Sequence, residues 1–299
     1  MTPLETRQKL LKSIRLYFWD QGFVEVDSPV LYPSLPLEPN IYSLSTKWCY
    51  QQQNLFLATS PETTLKQVLA TQKTNCFSLG KSFRDLEASG PTHQPEFTML
   101  EWYEMGIDYL ALTSSVENLI VTLAKNFSSY PTLNYLSSSF DLTPPWPKTT
   151  LTDLFLKYAH SPLPTTEPDL NQMFLNLIEP NLPQNNPLFI TDFPTFMSPL
   201  AAPQSKNPAL SQRFELYFGS MELANGCSEN TSAKLIKTSF NAEAQNRQKL
   251  ELPTHPPNLD FANTSALLPP SAGVGLGFDR LLMLLTNSAS IDQVVYQPL

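Results

Sequence analysis

A chain of 299 residues, 41% of them hydrophobic, is long enough to bury one large core or two ordinary ones. The net charge of -8, from 19 Lys+Arg against 27 Asp+Glu, weighs against extended contact with a polyanion, and no apolar run approaches the roughly 20 residues that span a bilayer. Three scattered cysteines and three distant histidines argue against a disulfide framework or a histidine-based metal site; no leader pattern opens the chain, so a cytoplasmic, membrane-free protein is expected.

In chain order, Thr2 and Glu5 form a capping box around Pro3, and Leu10, Leu11, Ile14, Tyr17 and Phe18 recur at helical spacing until Gly22. Short strands are expected over Phe23 to Val26 and Leu55 to Ala58, and a helix over Pro61 to Ala70. Cys76 to Asp85 and Phe97 to Met105 read as a hairpin joined by a polar loop. Leu110 to Lys125 reads as a helix. Thirteen of the 28 prolines lie between Pro144 and Pro208, which breaks that stretch into short helices near Leu151 to Tyr158 and Leu170 to Ile178. Strands at Leu188 to Asp192 and Arg213 to Gly219, a helix at Ser232 to Lys249, and a glycine segment leading into the apolar helix Asp279 to Leu285 complete the pattern. Runs of strands with few βαβ alternations point to an α+β fold on an antiparallel β-sheet flanked by helices. One domain over residues 1–299 is expected, with a proline-rich insertion around 141–210.

Three segments carry the chemistry. Period-2 alternation puts Phe97, Met99, Glu101 and Tyr103 on one face of the second hairpin strand. A carboxylate among apolar neighbours needs a partner, which a substrate ammonium would supply. Arg84, on the face of Gly80 and Ser82, suits a phosphate or carboxylate; a structural arginine–glutamate pair across the sheet would give the same pattern. The acids of Arg213 to Glu229 sit among small and apolar residues, and Glu215 and Glu222 fit a hard cation such as Mg²⁺. The glycines 273, 275 and 277, ahead of a helix with Arg280 in its first turn, suit nucleotide phosphates better than a dinucleotide fold.

Together these segments resemble the signature motifs of class II aminoacyl-tRNA synthetases, most closely the lysyl-tRNA synthetase catalytic core. Residues 22–29 look like motif 1, Phe83-Arg84 to Tyr103 like motif 2, and Gly273 to Arg280 like motif 3; Thr191 to Pro194, Ser198 to Ala201 and Glu222 to Gly226 look lysyl-specific. The resemblance covers nearly the whole chain and starts at the first core helix, without an anticodon-binding domain. A stand-alone core of this kind is similar to the elongation factor P–lysine ligase family. That family activates (R)-β-lysine with ATP and transfers it to a lysine side chain of elongation factor P. Two other readings stay open: a minimal enzyme that charges tRNA(Lys), and a non-catalytic paralogue acting as a regulatory binding module.

The resemblance implies roles. Arg84 would hold the α-phosphate and substrate carboxylate, and Arg280 the γ-phosphate. Asp85, Leu86, Glu87, His93, Gln94, Phe97, Glu222, Leu223 and Gly277 would complete the ATP site, with Mg²⁺ on Glu215 and Glu222. Ser60, Pro61, Glu62, Asn225 and Gly275 would position the substrate, and Glu101, Tyr103 and Glu229 would surround its terminal ammonium. A homodimer through motif 1 is implied. Three departures stand out. The motif 2 glutamate falls at Glu87 instead of at Leu86, and a β-bulge at Asp85-Leu86 would return it to the site. Cys227 replaces an aromatic residue. Gly275 is glycine, as in lysyl-tRNA synthetases, where the ligases carry alanine, so α-lysine is expected to be accepted as well.

Overall fold

The computed structural model describes residues 2–86 and 90–295. Helix α1 (Pro3–Asp20) starts at the expected capping box, with the Thr2 side chain accepting from the Glu5 N–H and the Glu5 carboxylate accepting from the Thr2 N–H. Strands β1 (Val24–Glu25), β2 (Leu31–Tyr32), β3 (Ser45–Trp48) and β4 (Gln53–Leu57) follow, then α2 (Glu62–Gln72). The hairpin is β5 (Cys76–Phe83) and β6 (Glu96–Met105), succeeded by α3 (Tyr109–Phe127). A small hairpin of β7 (Thr132–Tyr135) and β8 (Ser138–Asp141) was not anticipated. Strand β9 (Lys148–Thr150) leads into α4 (Leu151–Leu154) and a π-helical turn, Phe155–Ala159. Helix α5 (Glu167–Met173) likewise runs into a π-helical turn, Phe174–Ile178. The chain continues through β10 (Leu188–Thr191), β11 (Arg213–Phe218), β12 (Met221–Ser228), α6 (Ala233–Lys249), α7 (Leu259–Ser265), β13 (Ser271–Gly277) and α8 (Phe278–Thr286).

Eight strands form the main sheet in the order β1-β5-β6-β13-β12-β11-β10-β9. The six central strands are antiparallel, as expected, and both edges, β1 on β5 and β9 on β10, are parallel. Strands β2, β4 and β3 make a separate small sheet. The proline-rich stretch contributes β9 and β10 to the main sheet and builds a second apolar cluster of Leu151, Phe155, Leu170, Ile178, Ile190 and Tyr217.

The alternation of β6 decides which face is which. Leu100 and Trp102 enter the main core beneath α1, α3 and α8, where Phe18 stacks on Phe77 with centroids 4.7 Å apart and lies 5.3 Å from Trp102. Met99, Glu101 and Tyr103 point the opposite way, onto the face that holds the cavity. Burying each large apolar side chain is worth about 2–3 kcal/mol, which fixes the register, since a one-residue slip would exchange the two sets.

Candidate active site

A cavity of about 400 Å³ opens on the polar face of the sheet, a size suited to a small-molecule ligand. Its floor is β6, β13 and β12. Strand β13 pairs Gly273 with Tyr103, Gly275 with Glu101 and Gly277 with Met99. Gly273 is required by close approach: a Cβ there would sit 2.2 Å from Cε1 of Tyr103. Gly275 only leaves space, since a Cβ would meet Met99 Sδ at 3.5 Å, an ordinary contact. The Tyr103 hydroxyl donates to Glu101 Oε1 at 2.8 Å.

One end of the cavity is basic. Arg84 leaves the end of β5 with its backbone N–H donating to the Pro95 carbonyl at 2.9 Å, and its guanidinium lies 5.3 Å over the Phe97 ring. Arg280, in the first turn of α8, donates from Nη1 to the Glu222 carbonyl at 2.7 Å and from Nε to the Thr92 carbonyl at 3.3 Å, with Nη2 2.8 Å from His93 Nε2. One arginine thus ties motif 3 to β12 and to the loop after β5. Asp279 anchors the same helix end: it accepts from the Thr98 N–H at 2.6 Å and from Arg7 at 2.5 Å. Arg213 was not singled out in the sequence, yet it lines the cavity and organises β11 and β12. It donates to Asn225 Oδ1 at 3.0 Å, Ser198 Oγ at 2.9 Å and Glu215 Oε1 at 2.5 Å.

The other end is acidic. Lys66 of α2 is almost fully buried between Glu62 Oε1 at 2.6 Å and Glu229 Oε2 at 2.5 Å, 5.1 Å over the Phe261 ring. Burial would lower its pKa, but Glu229 and Glu62 outweigh that and hold it above the ordinary lysine value. Burial raises Glu229 to about 7, with Lys66 opposing the rise. Burial and then the charge of Glu62 push Glu101 up as well. Burial likewise lifts the Cys227 thiol, 3.9 Å from Glu229, well above its usual value. These are carboxylates short of cations, the condition a bound ammonium would relieve.

The structure brings together most of the residues expected from the sequence. Arg84, His93, Gln94, Phe97, Glu222, Leu223, Gly277 and Arg280 line the cavity, as do Ser60, Glu62, Glu101, Tyr103, Asn225, Glu229 and Gly275. Four do not. Pro61 is buried and lines a neighbouring groove that includes Asp27, Ser28 and Lys81. Glu215, paired with Asn225 across β11 and β12, is covered from the cavity, its two oxygens taken by Arg213 and by the Tyr217 hydroxyl at 2.7 Å. Its pKa is raised by burial and then by Glu222, so the two charges feel each other. Asp85 and Leu86 are not a β-bulge. The β5–β6 ladder is regular from Cys76↔Tyr103 to Phe83↔Glu96, and Asp85 pairs with Tyr42 instead. Leu86 is exposed and left-handed at φ 55°, its N–H held by the Asp85 carboxylate at 2.8 Å. Glu87 lies outside the described residues. Glu38, Lys66 and Arg213 were missed by sequence reasoning, and no local pattern distinguishes them from ordinary surface charges.

Glu222 lines the cavity wall and its charge is felt by Glu215; carboxylates are what Mg²⁺ takes when phosphates supply the remaining ligands, and of the two only Glu222 is open to the cavity, since Arg213 and Tyr217 engage both Glu215 oxygens. Among the described residues no group of three or more His, Cys, Asp or Glu side chains could hold a metal by itself. No helix among them is long and apolar enough to cross a membrane.

Residues 1–299 match the family described as tRNA synthetases class II (D, K and N). The chain is 34% identical to an elongation factor P–(R)-β-lysine ligase of Histophilus somni over 98% of its own length and 93% of that protein. A ligase of the same name from Buchnera aphidicola is 33% identical, over 98% and 94%. A lysine–tRNA ligase of Moorella thermoacetica is 31% identical over 98% of this chain, but the chain spans only 64% of that protein's length.

Proposed function

The chain belongs to the class II tRNA synthetase family (D, K and N), and from that premise we propose that it uses ATP to activate (R)-β-lysine or lysine as an aminoacyl-adenylate and transfers it to a lysine side chain of elongation factor P. The observation that carries this reading is a single cavity with Arg84 and Arg280 at one end and Glu62, Glu101 and Glu229 at the other. A diamino acid and a triphosphate have the complementary charges. The ligases of that name match the chain over more than nine-tenths of both lengths.

In this reading Arg84 holds the substrate carboxylate against the α-phosphate of ATP. A carboxylate oxygen attacks the α-phosphorus in line, the bond to pyrophosphate breaks, and a mixed anhydride with AMP remains. Such a step needs positioning and charge neutralisation more than a protein nucleophile. Arg280 holds the γ-phosphate at the N-terminus of α8, where the helix dipole also favours an anion. Phe97 and Gly277 flank the nucleotide, and His93 and Gln94 cover it. Glu222 would hold Mg²⁺, with Glu215 joining it by releasing Arg213; the ion would supply further neutralisation of the phosphates when bound. Glu101, Tyr103 and Glu229 enclose the terminal ammonium. Glu62 and Asn225 receive the groups near the carboxylate, with Arg213 fixing the Asn225 amide. The acceptor amine then attacks the anhydride carbonyl and AMP leaves. Exposed Val24, Val30 and Leu31 in the motif 1 region offer the surface for a homodimer.

Charging of tRNA is the second reading, favoured by Gly275 and by the 31% identity to lysine–tRNA ligases. Incubation with ATP, each lysine isomer, and either elongation factor P or tRNA separates the two. A mass increase of the factor by one lysyl residue supports the ligase, and acid-labile tRNA charging supports the second reading. No AMP formation with either acceptor leaves a binding module.

A further inference from the structure

Four carboxylates line the acidic and central parts of the cavity: Glu38, Glu62, Glu101 and Glu229. Three have a partner within the protein. Glu62 and Glu229 share Lys66, and Glu101 accepts from Tyr103. The Glu38 carboxylate makes no hydrogen bond or ion pair to any described residue, although its segment is firmly held. Arg247, 1% exposed and gripped by Glu243 at 2.7 Å, donates to the Glu38 carbonyl at 2.5 Å and to the Ile41 carbonyl at 2.9 Å. Two residues on, Asn40 donates to Glu167 of α5 at 2.5 Å. The backbone is stapled on both sides while the acid is presented to the cavity with no direct hydrogen bond or ion pair among the described residues.

Its neighbours fix where along the cavity it acts. Besides burial, the charges felt by Glu38 are those of Glu62, Lys66, Arg84 and Arg213. Those felt by Glu101 are Glu62, Lys66 and Glu229. Glu62 and Lys66 are common to both sets. The loop itself gives the geometry: it runs from Glu38 to Tyr42, whose carbonyl accepts from the Asp85 N–H at 2.8 Å, so Glu38 lines the cavity on the Arg84 side, where the substrate carboxylate is held. A cation placed against Glu38 is one close to that carboxylate.

We propose that Glu38 is a specificity residue whose carboxylate, together with Glu62, binds the ammonium group nearest the substrate carboxylate. The proposal rests on the diamino-acid reading above. Two acids side by side cover more than one position for that amine, which fits acceptance of both α- and β-lysine.

The test compares Glu38→Gln with the wild type on three ligands: L-lysine, 6-aminohexanoate (no amine beside the carboxylate) and L-norleucine (no terminal amine). Lysine-dependent ATP–pyrophosphate exchange gives the KM for lysine and the inhibition constants of the other two. The substitution is expected to weaken L-lysine and L-norleucine by about tenfold to a hundredfold, the usual loss when one partner of a desolvated charge pair is neutralised. The constant for 6-aminohexanoate, the KM for ATP and the melting temperature stay at wild-type values, and Glu38→Asp recovers part of the loss. Equal weakening of 6-aminohexanoate and lysine, or an unchanged lysine KM, overturns the proposal. Should the wild type activate neither lysine isomer, the functional reading falls. Calorimetric titration of the same three ligands then decides the Glu38 assignment by the same pattern.

Discussion

Replacing Lys66 by methionine keeps the buried stem and removes the charge that two carboxylates share. At 2.5–2.6 Å each contact is worth about 6 kcal/mol of gross attraction with an effective dielectric near 20. Most of that is offset by the several kcal/mol needed to desolvate each ion. What the variant loses is dominated by Glu62 and Glu229 left buried without a cation beside Glu101, and breaking such a pair costs about 3–5 kcal/mol. At roughly 2 °C per kcal/mol for a chain of this size, the melting temperature should fall by about 6–10 °C at pH 8. The loss depends on pH. Glu229 is already pushed up to about 7 by burial with Lys66 present, and without Lys66 it rises further. Near pH 5.5 the variant therefore protonates Glu229 and escapes part of the penalty. Differential scanning fluorimetry of both proteins at pH 5.5 and pH 8 is the assay. A deficit of the same size at both values would mean that Lys66 contributes packing and not charge, and the account of the acidic end would be wrong. Adding Glu229→Gln to the variant should recover part of the loss at pH 8.

Further expectations follow from the same geometry. Gly275→Ala should melt with the wild type, because its Cβ meets only Met99 and Glu101 at ordinary distances, yet raise the KM for the diamino acid and not that for ATP. Gly273→Ala must displace the Tyr103 ring; calorimetric unfolding should show about 1–3 kcal/mol of destabilisation from overpacking, with loss of substrate binding. Arg280→Ala should lower ATP–pyrophosphate exchange by roughly a hundredfold or more, the scale for removing a group that stabilises transition-state charge; wild-type exchange rates would remove Arg280 from the phosphate site. In the ligand-free protein, the raised pKa values of Glu38, Glu101, Glu215 and Glu229 mean that the folded state binds protons the unfolded chain has released. That stability is fully present below about pH 4.5, the ordinary glutamate range, and is lost as pH rises through about 7 to about 8. Added lysine should therefore stabilise the protein more at pH 8 than at pH 6, measured as the shift in melting temperature.

Local chemistry was enough to read several elements from the chain alone. The Thr2–Glu5 capping box determines the start of α1 within one helical turn. The alternation from Phe97 to Tyr103 determines which side chains of β6 face the core and which face the cavity, since both patterns depend only on neighbours in sequence. Arg84, Glu101, Glu222, Glu229 and Arg280 were found because motif order and residue type carry them. Other features exist only through contacts between distant segments. The β7–β8 turn has no glycine. Leu136 takes the left-handed conformation at φ 52°, with its N–H held by Asn287 at 2.6 Å. Strand β12 was hidden by Glu222, Asn225 and Gly226, which make sense only once β11 and β13 flank it. Lys66 reads in sequence as one more polar position on a helix, and it becomes a buried counter-ion only where folding brings Glu229 against α2. Glu38 sits in a loop without any pattern, and Arg247 from α6 and Glu167 from α5 hold that loop at the cavity. Side-chain type and spacing settle which groups are available for chemistry. Burial, which turns an ordinary surface charge into one that must be paired, is a property of the assembled chain.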